Sequence, residues 1–307
     1  MPFRITILGS NSAVPAYNRN PSAQVINLRD KLYLIDCGEG TQMRMDRLHI
    51  RRNRIEQIFI SHLHGDHYFG LIGLITSLQL NGRLKPLTIF SPIGLEAIID
   101  IQLKETRKEL SFDLQFVDTD TKVSKVIFEN EDVAVSTIPL DHRIECAGFL
   151  FAEKQKQPNL LREKIEEYNI PIEQRPLIKD GADFVSSDGK TISHSELTKP
   201  ARRPRSFAYC SDTAYSEAIV PIIKEVDLLY HEATFVNGSE ERADLTRHST
   251  AQQAATIAKK AAVKKLIIGH FSAKYKELDP FLEQSQAVFP NSALALEGET
   301  FEIEYVD

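Results

Sequence analysis

"SHLHGDHYFG", residues 61–70, follows the apolar run "IEQIFI" and puts three of the chain's nine histidines and one aspartate into six positions, His62 to His67. His62 and His64 stand two apart at the end of a predicted strand, so their side chains point the same way. Gly65 lets the chain turn tightly enough to bring Asp66 and His67 round. Imidazole nitrogens and a carboxylate oxygen are the donors zinc prefers. Four of them in six residues exceed what one zinc needs if other histidines join, which suggests two metals. A chance cluster of surface histidines does not account for this spacing with glycine and aspartate.

Outward from this stretch, short apolar runs recur with turn signals between them: "FRITILGS", "KLYLIDCG", "LTIFSP", "LQFVD", "VAVSTIPLDH" and "CAGFLFAE". After about residue 205 the pattern restarts with "SFAYCSD", "VDLLYHEATF", "KLIIGHF" and "FEIEYV". Helical periodicity marks "GTQMRMDRLHI", "GLIGLITSLQLNG", "GLEAIIDIQLKETRKE", "SEAIVPIIKEV" and "TAQQAATIAKKAAV". This is a mixed α/β (α+β) chain, in which two strand-rich halves are expected to pack face to face with helices outside. Donor residues sit at strand ends in "SHLHGDH", "PLDH", "CSD" and "IGH", so the loops should converge on one edge.

The 307 residues are 42% hydrophobic and carry a net charge of −6, which gives no overall basic footprint for nucleic acid. Cys37, Cys146 and Cys210 are odd in number and scattered, which fits small buried hydrophobes in a reducing compartment better than a disulfide framework. No stretch approaches a membrane span and the start shows no secretory pattern, so the expectation is a cytoplasmic protein without a membrane partner.

The H-x-H-x-D-H pattern resembles the signature of the metallo-β-lactamase fold superfamily, whose further metal positions appear in order as His142, Asp212 and His270. The resemblance implies a four-layer αββα sandwich over residues 1–307. One zinc would take His62, His64 and His142, the other Asp66, His67 and His270, with Asp212 bridging. Asp36 in "LIDCGEG" matches the aspartate that orients the metal loop by hydrogen bonding. Two metals about 3.5 to 4 Å apart can share a water and assist an in-line displacement at phosphorus.

Three further stretches, "HEATF" (His231–Phe235), "RHSTA" around His248 and "PAYNRN" (Pro15–Asn20), resemble ribonuclease Z, the branch that cuts the 3′ trailer from precursor tRNA. That resemblance implies that His248, paired with Glu232, protonates the leaving ribose oxygen; on chemical grounds Asp66 is the candidate to double as the base, although a metal-bound carboxylate is a poor one. Taken singly, His248 reads as a residue beside a helix cap and Glu232 as an ordinary strand-end carboxylate. The family also implies a homodimer. Two departures stand out. Tyr17 occupies the lysine position of P-x-K-x-R-N, and "NIPIEQRPLIKDG" lacks the glycine-proline pair often found in the arm.

Residues 153–205 are polar, lack a sustained apolar face, and hold eleven Lys and Arg against nine Asp and Glu, so they read as a protruding insertion. Its place matches the flexible arm with which ribonuclease Z grips tRNA. Its tail contributes Lys199, Arg202, Arg203 and Arg205 as candidate phosphate contacts, beside Arg19 and Asn20 of the loop after the first strand. Arg44, Arg47 and Arg51 would share one face if residues 44–54 were helical. One other reading stays open, a hydrolase of small or cyclic phosphodiesters on the same fold; an RNA-binding module with a structural metal is opposed by the donor set, since structural zinc sites are closed and rarely carry a bridging aspartate.

Overall fold

The computed structural model describes residues 1–105 and 109–305; Thr106–Lys108 of the helix expected over 94–109, and Val306–Asp307, lie outside them. Two seven-stranded sheets carry the fold. The first holds β1 (Phe3–Gly9), β2 (Ala23–Leu28), β3 (Lys31–Ile35), β4 (Ile55–Phe59), β5 (Leu87–Ser91) and β6 (Leu114–Asp118) in sequence order. The second takes β7 (Val126–Glu129), β8 (Val133–Pro139) and β9 (Ala147–Glu153), then β14 (Ser206–Cys210), β15 (Leu228–Glu232), β16 (Lys265–Gly269) and β17 (Ser292–Leu294). The final strand, β18 (Thr300–Glu302), returns to pair antiparallel with β1, Arg4 opposite Glu302.

Alternation explains the layers. Phe3, Ile5 and Ile7 of β1 face a core between the sheets with Tyr33, Phe59, Phe149, Phe151 and Tyr209, while Arg4 points out. Helices Leu71–Leu80 and Leu95–Glu105 bury Leu71, Leu74, Ile75, Leu78, Leu95 and Ile99 against the outer face of the first sheet. Helices Ala251–Lys260 and Asp279–Gln286 cover the second through Ala254, Ile257, Ala258 and Phe281. Strands β3 to β6 and β14 to β17 run parallel, covered on both faces, which is why "LLYHE" and "KLIIG" read as nearly unbroken apolar runs.

The boundary between sheets does not fall between the two halves: residues 126–153 already belong to the second sheet, and Thr300–Glu302 crosses back to the first. The periodic segment "SEAIVPIIKEV" forms only a 3₁₀ turn, Glu217–Ile219, because Pro221 offers no N–H to continue it. The helix in "GTQMRMDRLHI" is Thr41–Arg47; the chain leaves it at Leu48, with His49 at φ 55°, so Arg51 does not share a helical face with Arg44 and Arg47.

Glu153–Pro204, with the chain end from Tyr305, make a second compact unit. It is more ordered than a polar loop. Strand pairs β10 (Asn159–Leu160) with β13 (Thr198–Lys199) and β11 (Phe184–Val185) with β12 (Thr191–Ile192) surround a small core of Ile170, Ile178, Phe184, Ile192 and Leu197. These five residues are too widely spaced to show as one apolar face in sequence. Among the described residues no helix is long and apolar enough to cross a membrane. Cys37, Cys146 and Cys210 are buried free thiols.

Candidate metal centre

The strand ends do converge. Asp36 follows β3, His62–His67 follow β4, His142 follows β8, Asp212 follows β14, Glu232 closes β15 and His270 follows β16. Asp36, Asp212 and His270 have φ of 53°, 62° and 61°, a left-handed backbone that costs a non-glycine residue about 1–2 kcal/mol. Strain at three positions that deliver side chains to one place marks a functional site.

Two donor sets result. In the first, His64 Nδ1 lies 3.0 Å from His62 Nε2 and 3.1 Å from His142 Nε2, and Asp212 Oδ2 lies 3.4 and 3.7 Å from the latter two. In the second, Asp66 Oδ2 lies 3.5 Å from both His67 Nε2 and His270 Nε2, and Asp212 Oδ1 lies 3.4 and 3.2 Å from them. Asp212 turns one oxygen to each set. Bonds of about 2.0–2.2 Å in a tetrahedron separate donors by about 3.3–3.6 Å, so both sets fit a divalent metal. His67 Nε2 and His270 Nε2 are buried without a hydrogen-bond partner, which a cation would supply.

The far nitrogens fix the tautomers. His67 Nδ1 donates to Asp36 Oδ2 at 2.7 Å and His142 Nδ1 to the Arg247 carbonyl at 3.0 Å. His62 Nδ1 meets Ser61 Oγ at 3.0 Å, and that hydroxyl donates to Asp36. His270 Nδ1 meets Thr234 Oγ1 at 2.9 Å, and Thr234 donates to Glu232. In each ring the nitrogen facing the site is left with its lone pair. Burial, reinforced by the neighbouring His67, pushes His62 down to about 4, so it stays neutral. Burial opposes charge on His67, but Asp212, Asp36 and Asp66 raise it well above the ordinary value; a cation at Nε2 replaces that proton. Burial likewise opposes ionised Asp66, yet His67 and His270 hold it well below the usual carboxylate range, which makes it a donor and a weak base.

Beside the metal sets, His248 Nδ1 lies 2.7 Å from Glu232 Oε1. Glu232 is wholly buried and also accepts from the amides of Thr213 and Thr234, both at 3.0 Å. Burial works against a charged His248, but the Glu232 carboxylate outweighs it and raises the imidazole to about 9. Thr250 caps the following helix, in a capping box with Gln253, two residues after His248. His248 opens with His64, Asp66, Asp212, His270 and Arg143 on a cavity of about 320 Å³. Arg143, Ser61, Thr234 and Tyr209, whose hydroxyl donates to Asp36 at 2.7 Å, escaped the sequence reading. Adjacency to His142, His62, Glu232 and Cys210 was the available signal.

The candidate phosphate contacts divide. Lys199, Arg202 and Arg203 are exposed in the smaller unit, with Arg202 over the Tyr305 ring at 4.9 Å. Arg205 is not a surface contact: it is buried, donates to the carbonyls of Ile303 and Met1, and belongs to the larger unit. Arg19 is spent inside the protein too, donating to Asn11 Oδ1 and to the carbonyls of Tyr275 and Lys276, and Asn20 is held through its backbone by Glu297. Tyr17 is half exposed at φ 54°, with the Arg19 guanidinium 5.2 Å from its ring centre. Arg44 bonds Glu297 and the Asn18 carbonyl, so it too is unavailable to RNA.

Residues 3–158 match the family model described as Anti-Pycsar protein Apyc1. The ribonuclease Z of Parabacteroides distasonis is 47% identical over 296 residues, covering 96% of this chain and 97% of that one. The ribonuclease Z of Porphyromonas gingivalis strain W83 is 46% identical over 297 residues, with the same coverage. The crystal structure of human tRNase Z, short form, superposes with a TM-score of 0.70 at 26% identity over 98% of this chain and 99% of that chain. The metallo-β-lactamase fold protein YhfI from Bacillus subtilis, at 17% identity, a TM-score of 0.69 and coverage of 98% and 100%, is alike in fold. Matched at this identity over nearly the whole of both chains, the protein belongs to the ribonuclease Z family, on a metallo-β-lactamase fold.

Proposed function

We propose that the protein is a zinc-dependent endoribonuclease that removes the 3′ trailer from precursor tRNA and leaves a 3′-hydroxyl on the tRNA. The observation that carries this reading is the 2.7 Å pair of His248 and Glu232 beside two metal-donor sets, in a chain of this family. A bound pair of divalent metals supplies Lewis acidity at phosphorus and a nucleophile at neutral pH. His62, His64 and His142 would hold one ion, Asp66, His67 and His270 the other, and Asp212 both. The chain's own task is the leaving group. A ribose oxygen departs poorly as an alkoxide; as water's oxygen bonds to phosphorus and the P–O3′ bond breaks, the imidazolium of His248 gives that oxygen its proton. Glu232 steadies the imidazolium. Asp66, with its low basicity, serves as a ligand and only in passing as proton acceptor.

The smaller unit at 153–204 acts as the tRNA-gripping arm, with Lys199, Arg202 and Arg203 meeting phosphates; the enzyme works as a cytoplasmic homodimer with two zinc ions per subunit. The Apyc1 match ends at residue 158, before Asp212, Glu232, His248 and His270, and so does not bear on the acid pair. The test is cleavage of a 5′-labelled, 3′-extended precursor tRNA, with and without chelator. One metal-dependent product ending in a 3′-hydroxyl is expected. Intact RNA alongside hydrolysis of a simple or cyclic phosphodiester would transfer the site to small substrates.

A further inference from the structure

The two residues that face Asp66 across the second donor set come from different sheets: His67 follows β4 and His270 follows β16. One segment joins the pieces. Leaving β1, the chain gives the Ser10 carbonyl to Phe271 N–H at 2.9 Å and takes the Phe271 carbonyl on Ser12 N–H at 2.9 Å, which fixes the backbone next to His270. One residue later Ala13 N–H donates to Asp66 Oδ2 at 2.8 Å, the same oxygen that faces His67 and His270 at 3.5 Å. None of His62, His64 and His142 hydrogen-bonds this segment among the described residues.

The segment is locked at its far end. Asn11 N–H closes it on the Asn20 carbonyl at 2.9 Å, and Asn11 Oδ1 receives Arg19 Nε at 3.0 Å. Arg19 also donates to the carbonyls of Tyr275 and Lys276, in the loop that His270 begins. Glu297, 5% exposed at its side chain, accepts from Asn20 N–H and pairs with Arg44, which donates to the Asn18 carbonyl at 3.0 Å. Gly40, at φ 83°, holds a left-handed conformation that favours glycine, and a Cβ there would press on the end of the Asn20 side chain.

We infer that Arg19, Arg44 and Glu297 are positioning residues for the second metal, acting through the 10–20 segment on Asp66 and His270 while leaving the His62–His64–His142 position alone. A backbone amide on a ligand's oxygen orients that ligand as other hydrogen bonds around metal sites do, and loss of such support costs roughly 10- to 100-fold in metal affinity. The inference rests on the two-metal reading proposed above.

The experiment is stepwise cobalt(II) binding to the full-length protein, read as metal bound per chain and as affinity against a competing chelator. Glu297→Gln, which keeps an acceptor for Asn20 but drops the charge facing Arg44, and Arg19→Gln should keep the first ion and bind the second roughly 10- to 100-fold more weakly. Arg19→Lys should recover part of that affinity. Two unchanged affinities in all variants, or equal weakening of both, would overturn the positioning role while the wild type's two ions keep the two-metal reading standing. A wild type that takes one ion per chain removes that reading and the inference with it.

Discussion

Glu232 serves two histidines at once: Oε1 accepts from His248 Nδ1 at 2.7 Å, and Oε2 accepts from Thr234 Oγ1 at 2.8 Å, which in turn meets His270 Nδ1 at 2.9 Å. One buried carboxylate therefore holds the proposed proton donor and one metal-facing imidazole in fixed relation. Its remaining contacts are the amides of Thr213 and Thr234, two further donors to the buried charge.

Removing the donor should discriminate between leaving groups. His248→Ala is expected to slow precursor-tRNA cleavage by about 10²- to 10⁴-fold, the usual size of general-acid catalysis. Bis(p-nitrophenyl) phosphate, whose phenolate departs without a proton, should be slowed far less. Single-turnover rates on the two substrates decide it, and equal slowing of both would take the acid role from His248.

The pH profile should carry a limb set by His248. Its imidazole is raised to about 9 by Glu232 against the opposing effect of burial, and the protonated form is the one that donates. Cleavage of RNA should therefore persist at neutral pH and fall as pH rises through about 9. The same sign holds for stability: the contribution is full below the unfolded histidine value of about 6.5 and is lost as pH rises through the folded value. Glu232→Gln should move the limb down towards about 6.5. A limb that stays in place in this variant would mean another group sets it.

Asp36→Asn should weaken metal binding more than folding. Asp36 Oδ2 fixes His67 by its 2.7 Å contact to Nδ1 and also takes Ser61 Oγ and Tyr209 Oη. An amide can present its NH₂ to the ring and favour the wrong tautomer. A drop of roughly 10- to 100-fold in affinity is expected from chelator competition. Unchanged affinity would show that His67 keeps its tautomer without the carboxylate.

The arginines of "KPARRPR" should separate into two kinds. Replacing Lys199, Arg202 and Arg203 by alanine should make the fall of log K for tRNA with log salt shallower, by roughly 0.7–0.9 for each phosphate that is no longer neutralised. Arg205→Ala should leave that slope in place and lower the thermal midpoint, since the buried carbonyl of Ile303 loses its donor at a cost of about 1–3 kcal/mol. A salt slope that responds to Arg205 alone would reverse this division.

Local pattern was enough for the strands, the main helices and the donor cluster His62, His64, Asp66 and His67, because each depends on short-range rules: alternation, helical spacing, and donors placed where a strand ends; His142, Asp212 and His270 stood at strand ends too but took their metal role from the family resemblance. His62 to His67 could be read as a donor set because Gly65 and the two-residue spacing constrain geometry within one turn of chain. Glu232 and His248 had meaning only as a family set, since nothing between positions 232 and 248 announces that their side chains meet.

What tertiary structure alone decided is which polar groups are already taken. Arg19, Arg44 and Arg205 look in sequence like Arg202 and Arg203, but backbone carbonyls and Glu297, brought from up to 257 residues away, draw them in from solvent, whereas Arg202 and Arg203 stay exposed. The small core of the 153–204 unit and the crossing of residues 126–153 into the second sheet are decided the same way. The physical reason is common to all of them. A side chain's type fixes what it can bond, but the partner that desolvates and satisfies it comes from wherever the folded chain returns.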